Sequence, residues 1–266
     1  MIAGMGKAAL LIVVVVVAAA FAWRLRSQRV GSLAPNATAL PGEQRVALAR
    51  KSRGDAVRKR LAEAGLPCPP REIFLRAFKH EAEVEVWARE DAGPFKFVVA
   101  FPVLASSGRP GPKRREGDRQ VPEGFYRIER FNPESSFHLS LGLDYPNASD
   151  RVLGDRGKPG GEIFIHGKNV TIGCLPLGDP AIEELYLLAL DVRQRGQREI
   201  AVHIFPAHMS GGKWARWSAQ QTAADPALRK FWSQLQPGYD AFERTRLVPE
   251  IAVESGGRYT VKARER

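Results

Sequence analysis

Cys174 and His166 are the two residues whose chemistry and spacing first indicate a function. A thiol is a useful nucleophile only as its thiolate, and a nearby imidazole can take up the thiol proton. His166 ends an apolar run, and Cys174 follows eight residues later, directly after Gly173. The loop between them is long enough to fold back, and glycine permits a sharp turn or a positive φ. The pattern therefore predicts a cysteine nucleophile with a histidine base.

The backbone near this pair offers two supporting groups. In a tight turn, the N–H groups of Gly173 and Cys174 would converge as an oxyanion hole for a tetrahedral intermediate. No acidic residue lies beside His166, so we expect the carbonyl oxygen of Gly167 to hold its second ring nitrogen. A buried thiol near a core histidine explains the same spacing. The residues alone leave both interpretations open.

The surrounding sequence predicts the elements that would position the pair. Residues 162–166 are typical of a strand that ends at His166. After Cys174, Asp179 is predicted to cap a helix with Pro180 at its first position, and Gly196 follows the last turn. The apolar face of this helix is predicted to consist of Ile182, Leu185, Tyr186 and Ala189. Further strands are predicted at residues 73–78, 84–87, 95–104, 125–130, 137–143, 200–205 and 259–261. Many strands with one strong late helix indicate a β-rich α+β or sandwich-like domain, not a doubly wound α/β fold.

Composition divides the chain into four segments. Residues 1–23 contain an unbroken apolar run and are predicted to be a signal peptide or a membrane anchor. Residues 24–70 form a basic linker with a predicted helix at 43–64, and residues 71–209 form the predicted catalytic domain. The aromatic residues of 210–266 predict a C-terminal extension packed on that domain. The first segment predicts export to the cell envelope, although the arginines that follow it favour the cytoplasmic side.

The charge distribution limits the classes of partner. The formal net charge is +11, and residues 24–60 hold ten Lys or Arg against Glu43 and Asp55. No nucleic-acid recognition motif accompanies this charge, so nucleic acid is not an expected partner. A solvated basic linker, or attraction to anionic lipid or wall polymer, explains it.

Neither the cysteines nor the histidines predict a metal site. The chain has two cysteines, of which Cys68 is flanked by prolines and is interpreted as structural or incidental. His203 and His208 follow no zinc-ligand spacing, and His203 is interpreted as a core residue or one that supports the site from behind. No metal or organic cofactor is expected.

Several motifs in order resemble one enzyme family. His166-Gly167 followed by Thr171-Ile172-Gly173-Cys174 resembles the active-site motif of the L,D-transpeptidase (YkuD-type) family of bacterial cell-wall enzymes. Three further stretches resemble its YafK-like branch. The first is residues 111–126, which contain Gly-Pro-Lys and Pro-Glu-Gly-Phe-Tyr. The second is residues 145–150, with Tyr-Pro-Asn and a later Asp, and the third is the Val-His-Ile-Phe-Pro of residues 202–206. The resemblance covers residues 71–260. The commoner family members carry a second histidine where this chain has Ile172, and their spacer from histidine to cysteine is longer.

The resemblance implies a fold, a reaction and a substrate. The fold is β-rich, with mixed β-sheets and flanking helices. The reaction is acyl transfer through an acyl-cysteine at the diaminopimelate of peptidoglycan stem peptides, with a neighbouring stem or a wall-attached lipoprotein as a candidate partner. Two alternatives stay open: a hydrolase of the same fold that cuts a stem-peptide or murein–lipoprotein link, and a wall-binding module without catalysis.

Four residues are candidates for contacts with the substrate. Thr171 belongs to the motif before the cysteine, and Tyr145 and Asn147 could shape a groove, although Pro-Asn is equally typical of a turn. Lys113 could bind a stem-peptide carboxylate through a charge-assisted hydrogen bond. A solvated face of the loop is the favoured explanation for Lys113.

Overall fold

Ten strands and five helices form within residues 42–265, the part of the chain that a computed structural model describes. The strands are β1 (Glu72–Phe78), β2 (Glu83–Arg89), β3 (Lys96–Pro102), β4 (Gly124–Asn132), β5 (Ser140–Leu143), β6 (Phe164–His166), β7 (Leu175–Pro176), β8 (Ile200–Phe205), β9 (Glu250–Val253) and β10 (Tyr259–Lys262). The helices are α1 (Gly42–Glu63), α2 (Ala148–Leu153), α3 (Asp179–Gln194), α4 (Gly211–Thr222) and α5 (Pro226–Thr245).

The predicted signal peptide or anchor lies outside the described residues, as does the first part of the basic linker. Among residues 42–265, no helix has the length and apolar character needed to cross a membrane.

Eight strands form one mixed sheet in the order β3-β2-β1-β8-β4-β5-β6-β7. β1 runs parallel to β8, and β6 runs parallel to β7, while the other neighbours in the sheet are antiparallel. β9 and β10 form a separate antiparallel pair. The α+β, β-rich fold class is therefore confirmed. The mixed sheet is one curved layer of eight strands with a small accessory pair.

One face of the eight-stranded sheet is fully covered by helices. Ile165 of β6 and Val202 of β8 are completely buried in the same hydrophobic cluster as Ile182 and Leu185 of α3. The apolar face predicted for this helix is buried as expected. α1 packs against α3 and adds Leu61 to the cluster. These contacts give β6 a fixed backbone up to the residue that follows Ile165.

The C-terminal residues cover only part of the opposite face. Phe125 of β4 and Phe205 of β8 pack there against Phe231 and Trp232 of α5, together with Tyr259 of β10. This cover extends over β1, β8 and the start of β4. Beyond it the same face continues toward β6 and β7, where Phe164 is partly exposed and His166 is buried.

A β-bulge helps to form this region. The register between β4 and β5 shifts between Ile128 and Arg130, so Arg130 points away from the buried cluster that holds Ile128. The Arg130 guanidinium lies 4.9 Å from the centre of the Phe164 ring on β6. The open half of the face thus runs through Arg130 and Phe164 to His166, two residues further along β6.

A buried ion pair joins the C-terminal extension to the long loop before β4. Glu123 is fully buried, and its carboxylate accepts hydrogen bonds from Lys79 Nζ at 2.9 Å, from the Gly111 N–H at 2.7 Å and from Trp232 Nε1 at 2.7 Å. Lys79 Nζ also donates to the carbonyl oxygen of Val121 at 2.9 Å. Because a buried charge is stable only when it is paired, these contacts keep the loop and α5 in place.

Ion pairs attach α1 to α3. Arg50 contacts Asp191 at 2.5 Å, and Arg60 contacts Glu184, which is largely buried, at 2.6 Å. Residues 41–266 form one compact unit. The helix predicted in the basic linker therefore packs as part of this unit.

Two local predictions were wrong. Asp179 does not cap α3: the capping position is Gly178 with φ +78°, and the Asp179 carboxylate instead accepts the N–H of Lys168 at 2.8 Å. The strand predicted at 137–143 begins only at Ser140, because residues 133–139 form a loop that is held by side chains far away in the sequence.

His203 lies on the face of the sheet opposite α1 and α3, in the part that the C-terminal residues cover. Its ring packs edge-on against Phe74 and Phe125, and its Nδ1 has no hydrogen-bond partner among the described residues. Burial, followed by the nearby charge of Arg76, lowers the pKa of His203 to about 3. The interpretation of His203 as a core residue agrees with this environment.

We predict that His203 makes the fold sensitive to acid. Its pKa in the unfolded chain is about 6.5, so the unfolded state binds the extra proton between about pH 6.5 and pH 3 and stability falls as pH falls through that window. At pH 4 the loss relative to pH 7 is about 3 kcal/mol. The measurement is urea unfolding of wild type and His203→Leu at both pH values, and the variant should lack that loss. Exposed His80→Leu is the control and should keep the wild-type difference; an unchanged difference in His203→Leu would contradict the prediction.

Candidate active site

The pairing of β6 with β7 brings the turn that carries Cys174 alongside the strand that ends at His166. Ile165 pairs with Leu175, and His166 pairs with Pro176. Cys174 comes directly before β7, so its backbone lies next to β6 near Phe164.

His166 is held in one orientation. The residue is 2% exposed, and its Nδ1 lies 2.6 Å from the carbonyl oxygen of Gly167. This is the contact expected from the sequence. Because a carbonyl oxygen only accepts, Nδ1 carries the proton and Nε2 is left with its lone pair. Burial lowers the pKa of His166, while the bond to Gly167 opposes that shift. The ring is therefore neutral near pH 7 and can accept a proton at Nε2.

The thiol of Cys174 lies against the backbone of β6. Its Sγ is 3.4 Å from the N–H of Phe164 and 3.5 Å from the carbonyl oxygen of Glu162. Burial is the largest effect on the thiol and raises its pKa. Within residues 42–265 the thiol and the imidazole make no direct hydrogen bond, so both groups rest in their neutral forms.

Thr171 organises the turn that presents Cys174. Its Oγ1 accepts the N–H of Gly173 at 3.0 Å and that of Cys174 at 2.7 Å, and donates to the carbonyl oxygen of Cys174 at 2.8 Å. The two N–H groups do converge, as predicted, but on this hydroxyl. The oxyanion hole predicted from the sequence is therefore wrong for the free protein, because a threonine side chain readily bonds nearby backbone N–H groups. The same bonds make Thr171 part of the turn rather than a free substrate contact.

Both glycines of the motif are required by close approach. Gly173 has φ +140°, and a Cβ atom there would lie 3.0 Å from the carbonyl oxygen of Gln120. A Cβ atom on Gly167 would lie 2.5 Å from Asp179 Oδ1 and 2.7 Å from the carbonyl oxygen of Phe137. The turn at Cys174 therefore rests on the long loop before β4, and the residue after His166 rests on α3 and on the loop before β5.

Three predicted substrate-binding residues are structural. Tyr145 is buried, and its hydroxyl donates to the carbonyl oxygen of Pro159 at 2.9 Å. Asn147 is the N-cap of α2 and forms a capping box with Asp150. Lys113 is 5% exposed and pairs with Asp118 at 2.6 Å, so it belongs neither to a substrate groove nor to a solvated face. Their polar groups are satisfied inside the protein, which leaves them unavailable to a ligand.

Phe137 is a residue near the pair that the sequence did not single out. Its ring centre lies 4.7 Å from that of His166, and the side chain is 41% exposed. Val170 and Ile172, between the histidine and the cysteine, are 54% and 78% exposed. An apolar rim therefore surrounds the polar pair.

A large cavity in the described region lies elsewhere. It has a volume of about 800 Å³, lies between the sheet and the C-terminal strands, and is lined by residues that include Phe125, His203 and Tyr259. Neither Cys174 nor His166 lines it. Chemistry therefore locates the candidate site better than cavity size does.

A strand-borne histidine and a glycine turn with a thiol, set in a β-rich sheet, are the arrangement expected from the motifs. The sequence model of the L,D-transpeptidase catalytic domain (YkuD) matches residues 84–204. The Escherichia coli K12 protein named "Putative L,D-transpeptidase YafK" is 32% identical over 191 residues, which cover 71% of this chain and 73% of that protein. The chain belongs to the L,D-transpeptidase family, and the resemblance seen in the motifs is confirmed.

Two solved structures match more distantly. The helical cell shape determining protein Pgp2 from Campylobacter jejuni is 18% identical with a TM-score of 0.41, over 74% of this chain and 80% of that one. L,D-transpeptidase 1 from Mycobacterium tuberculosis is 14% identical with a TM-score of 0.29, over 50% and 61%. The family assignment depends on the sequence matches.

The turn at Thr171 generates a prediction. Thr171→Val keeps the shape of the side chain but removes the oxygen that accepts two N–H groups, so it should lower the free energy of unfolding by about 1–2 kcal/mol. It should also change the rate at which Cys174 reacts with iodoacetamide, because the turn that presents the thiol loosens. Thr171→Ser keeps the oxygen and should stay close to wild type in both measurements. Equal behaviour of the valine and serine variants would show that the hydroxyl does not hold the turn.

Proposed function

We propose that this protein is a peptidoglycan L,D-transpeptidase in which Cys174 is the nucleophile and His166 its base. The observation that carries the proposal is the pairing of β6 with β7, which brings the turn that carries Cys174 beside the strand that ends at His166, with the imidazole held by Gly167. Family membership supports a function in the bacterial cell wall. The substrate is the diaminopimelate-containing stem peptide, and no cofactor takes part.

The first step forms an acyl-enzyme. His166 Nε2 takes the proton of the Cys174 thiol as Sγ attacks the carbonyl carbon of the scissile amide at diaminopimelate. The tetrahedral intermediate collapses, the C–N bond breaks, and the imidazolium returns its proton to the leaving amine. The products are the shortened stem peptide, held as a thioester on Cys174, and the released C-terminal part with a free amino group.

The resting charges of the pair fit this sequence of proton transfers. Burial raises the pKa of the thiol and lowers the pKa of the imidazole, so both groups are neutral before the substrate binds. The proton therefore moves during the attack, and His166 acts as a general base rather than as the cation of a preformed ion pair. Its protonated form after the attack is the acid that the leaving amine needs.

The acceptor of the acyl group determines whether the reaction cross-links two peptides or hydrolyses one. An amine from a neighbouring stem, or from a wall-attached lipoprotein, attacks the thioester and forms a new amide as the C–S bond breaks, and His166 passes the amine proton to the leaving thiolate of Cys174. Water at the same position releases the stem as a free acid. Both outcomes use the same acyl-enzyme, so the catalytic pair is common to the transferase and to a peptidase of the same fold.

The proposed substrate determines the cellular compartment in which the protein would act. Stem peptides lie in the cell envelope, so we place the working protein there, exported or held by its N-terminal segment. The exposed Val170 and Ile172, in the loop before Cys174, offer apolar surface to a bound peptide.

The test is incubation of purified protein with isolated sacculi, followed by chromatography and mass spectrometry of the muropeptides. We expect cross-linked muropeptides to increase, or freed stems or lipoprotein if water is the acceptor. Cys174→Ala and His166→Gln should each reduce either product by at least about 100-fold. Cys68→Ala is the matched control for the loss of a thiol and should retain wild-type activity. Unchanged muropeptides with the wild-type protein, or full activity of Cys174→Ala, would favour a wall-binding module.

A further inference from the structure

The loop of residues 133–139, between β4 and β5, reaches the candidate base from outside the sheet. At its tip, the Phe137 ring lies 4.7 Å from the His166 ring at an interplanar angle of 39°. The imidazole itself is 2% exposed, while the phenyl ring is 41% exposed. Phe137 therefore covers one face of the His166 ring, while its own opposite side is exposed to solvent.

Side chains from three distant elements hold this loop. Arg45 of α1 donates from Nη1 to the carbonyl oxygen of Ser135 at 2.8 Å and also to that of His138. Lys168 Nζ donates to the carbonyl oxygen of Ser136 at 2.6 Å. His138 Nε2 lies 2.8 Å from Glu183 of α3. Bonds to consecutive carbonyl groups fix the path of a loop that has no strand partner of its own.

The basic helix α1 thereby gains a specific function. It contacts α3 through Arg50 and Arg60, and it contacts the loop through Arg45. Gly42 at its start lies against Pro133, so close that a Cβ atom there would be 2.7 Å from the proline ring. Helix α1 therefore forms part of the wall of the candidate site, although Arg45 lies more than 90 residues before His138 in the sequence.

We propose that Phe137 is a positioning residue for His166, and that Arg45 holds the loop that keeps Phe137 in place. The Gly167 carbonyl fixes one edge of the imidazole, and the phenyl ring fixes one of its faces. Together they restrict the rotation of the imidazole ring. The proposal assumes the catalytic pair described under the proposed function.

Phe137→Ala tests the first part. The variant should lose about 10- to 100-fold in kcat for muropeptide product formation, with a small change in KM, because a base that can rotate is correctly placed less often. Phe137→Tyr keeps the ring and should restore activity to within about twofold of wild type. Phe97→Ala is the matched control, because Phe97 is also exposed, at 47%, but lies on β3. Equal kcat for Phe137→Ala and Phe97→Ala would overturn the proposal.

Arg45→Met tests the second part. It keeps the aliphatic length and removes the bonds to the two carbonyl groups, so kcat should fall in the same direction as in Phe137→Ala. Arg58→Met is the control and should retain wild-type kcat, because Arg58 lies on the same helix and, among residues 42–265, pairs only with its neighbour Asp55. A wild-type kcat for Arg45→Met would refute the role of α1. Circular dichroism and unfolding curves of each variant separate a loss of fold from a loss of orientation.

Alkylation of Cys174 by iodoacetamide distinguishes failure of this inference from failure of the proposed function. If the pair is catalytic, His166→Gln should slow alkylation, and Phe137→Ala should slow it to a smaller extent. If only Phe137→Ala behaves as wild type, the positioning proposal fails and the catalytic pair stands. If His166→Gln also behaves as wild type, the catalytic pair itself is wrong.

Discussion

The buried pair of Lys79 and Glu123 is the contact on which the arrangement of the site depends. The carboxylate is fully buried and is satisfied by an ammonium group, a backbone N–H and the Trp232 indole. These partners come from the end of β1, from the long loop before β4 and from α5. Removing one partner of such a pair leaves an uncompensated charge and costs about 3–5 kcal/mol. The same loop supplies the carbonyl oxygen of Gln120, against which the glycine turn before Cys174 rests.

The two faces of the sheet have different functions: one stabilises the fold, and the other carries the candidate site. One face is buried under α1 and α3, which fixes the backbone of β6 through Ile165. The other face is covered by the C-terminal helices only over its central strands. The neighbouring residue, His166, therefore has a rigid backbone from one side and an approach for substrate on the other. A site on an element that is buried on its reverse face is held more accurately than a site on a free loop.

The sequence predicted the features that depend on neighbouring residues. The strand before His166, the positive φ at Gly173, the apolar face of α3 and the carbonyl of Gly167 all follow from local pattern and are present in the structure. Features that depend on distant contacts were missed. The hydrogen bonds of Arg45 span about 90 residues, and nothing near Arg45 or Phe137 in the sequence indicates that they meet. Tyr145, Asn147 and Lys113 were misassigned for the same reason, since burial removes polar residues from a groove without changing their local pattern.

The central claim is that Cys174 forms an acyl-enzyme, and mass spectrometry of the protein after exposure to a carbapenem tests it most directly. The chain has two cysteines, and Cys68 is exposed, so it serves as an internal control for simple thiol reactivity. We predict one covalent adduct per chain, located on the peptide that contains Cys174. The adduct should be absent in Cys174→Ala and should form more slowly in His166→Gln. An adduct on Cys68 alone, or none on Cys174 in the folded wild-type protein, would contradict it.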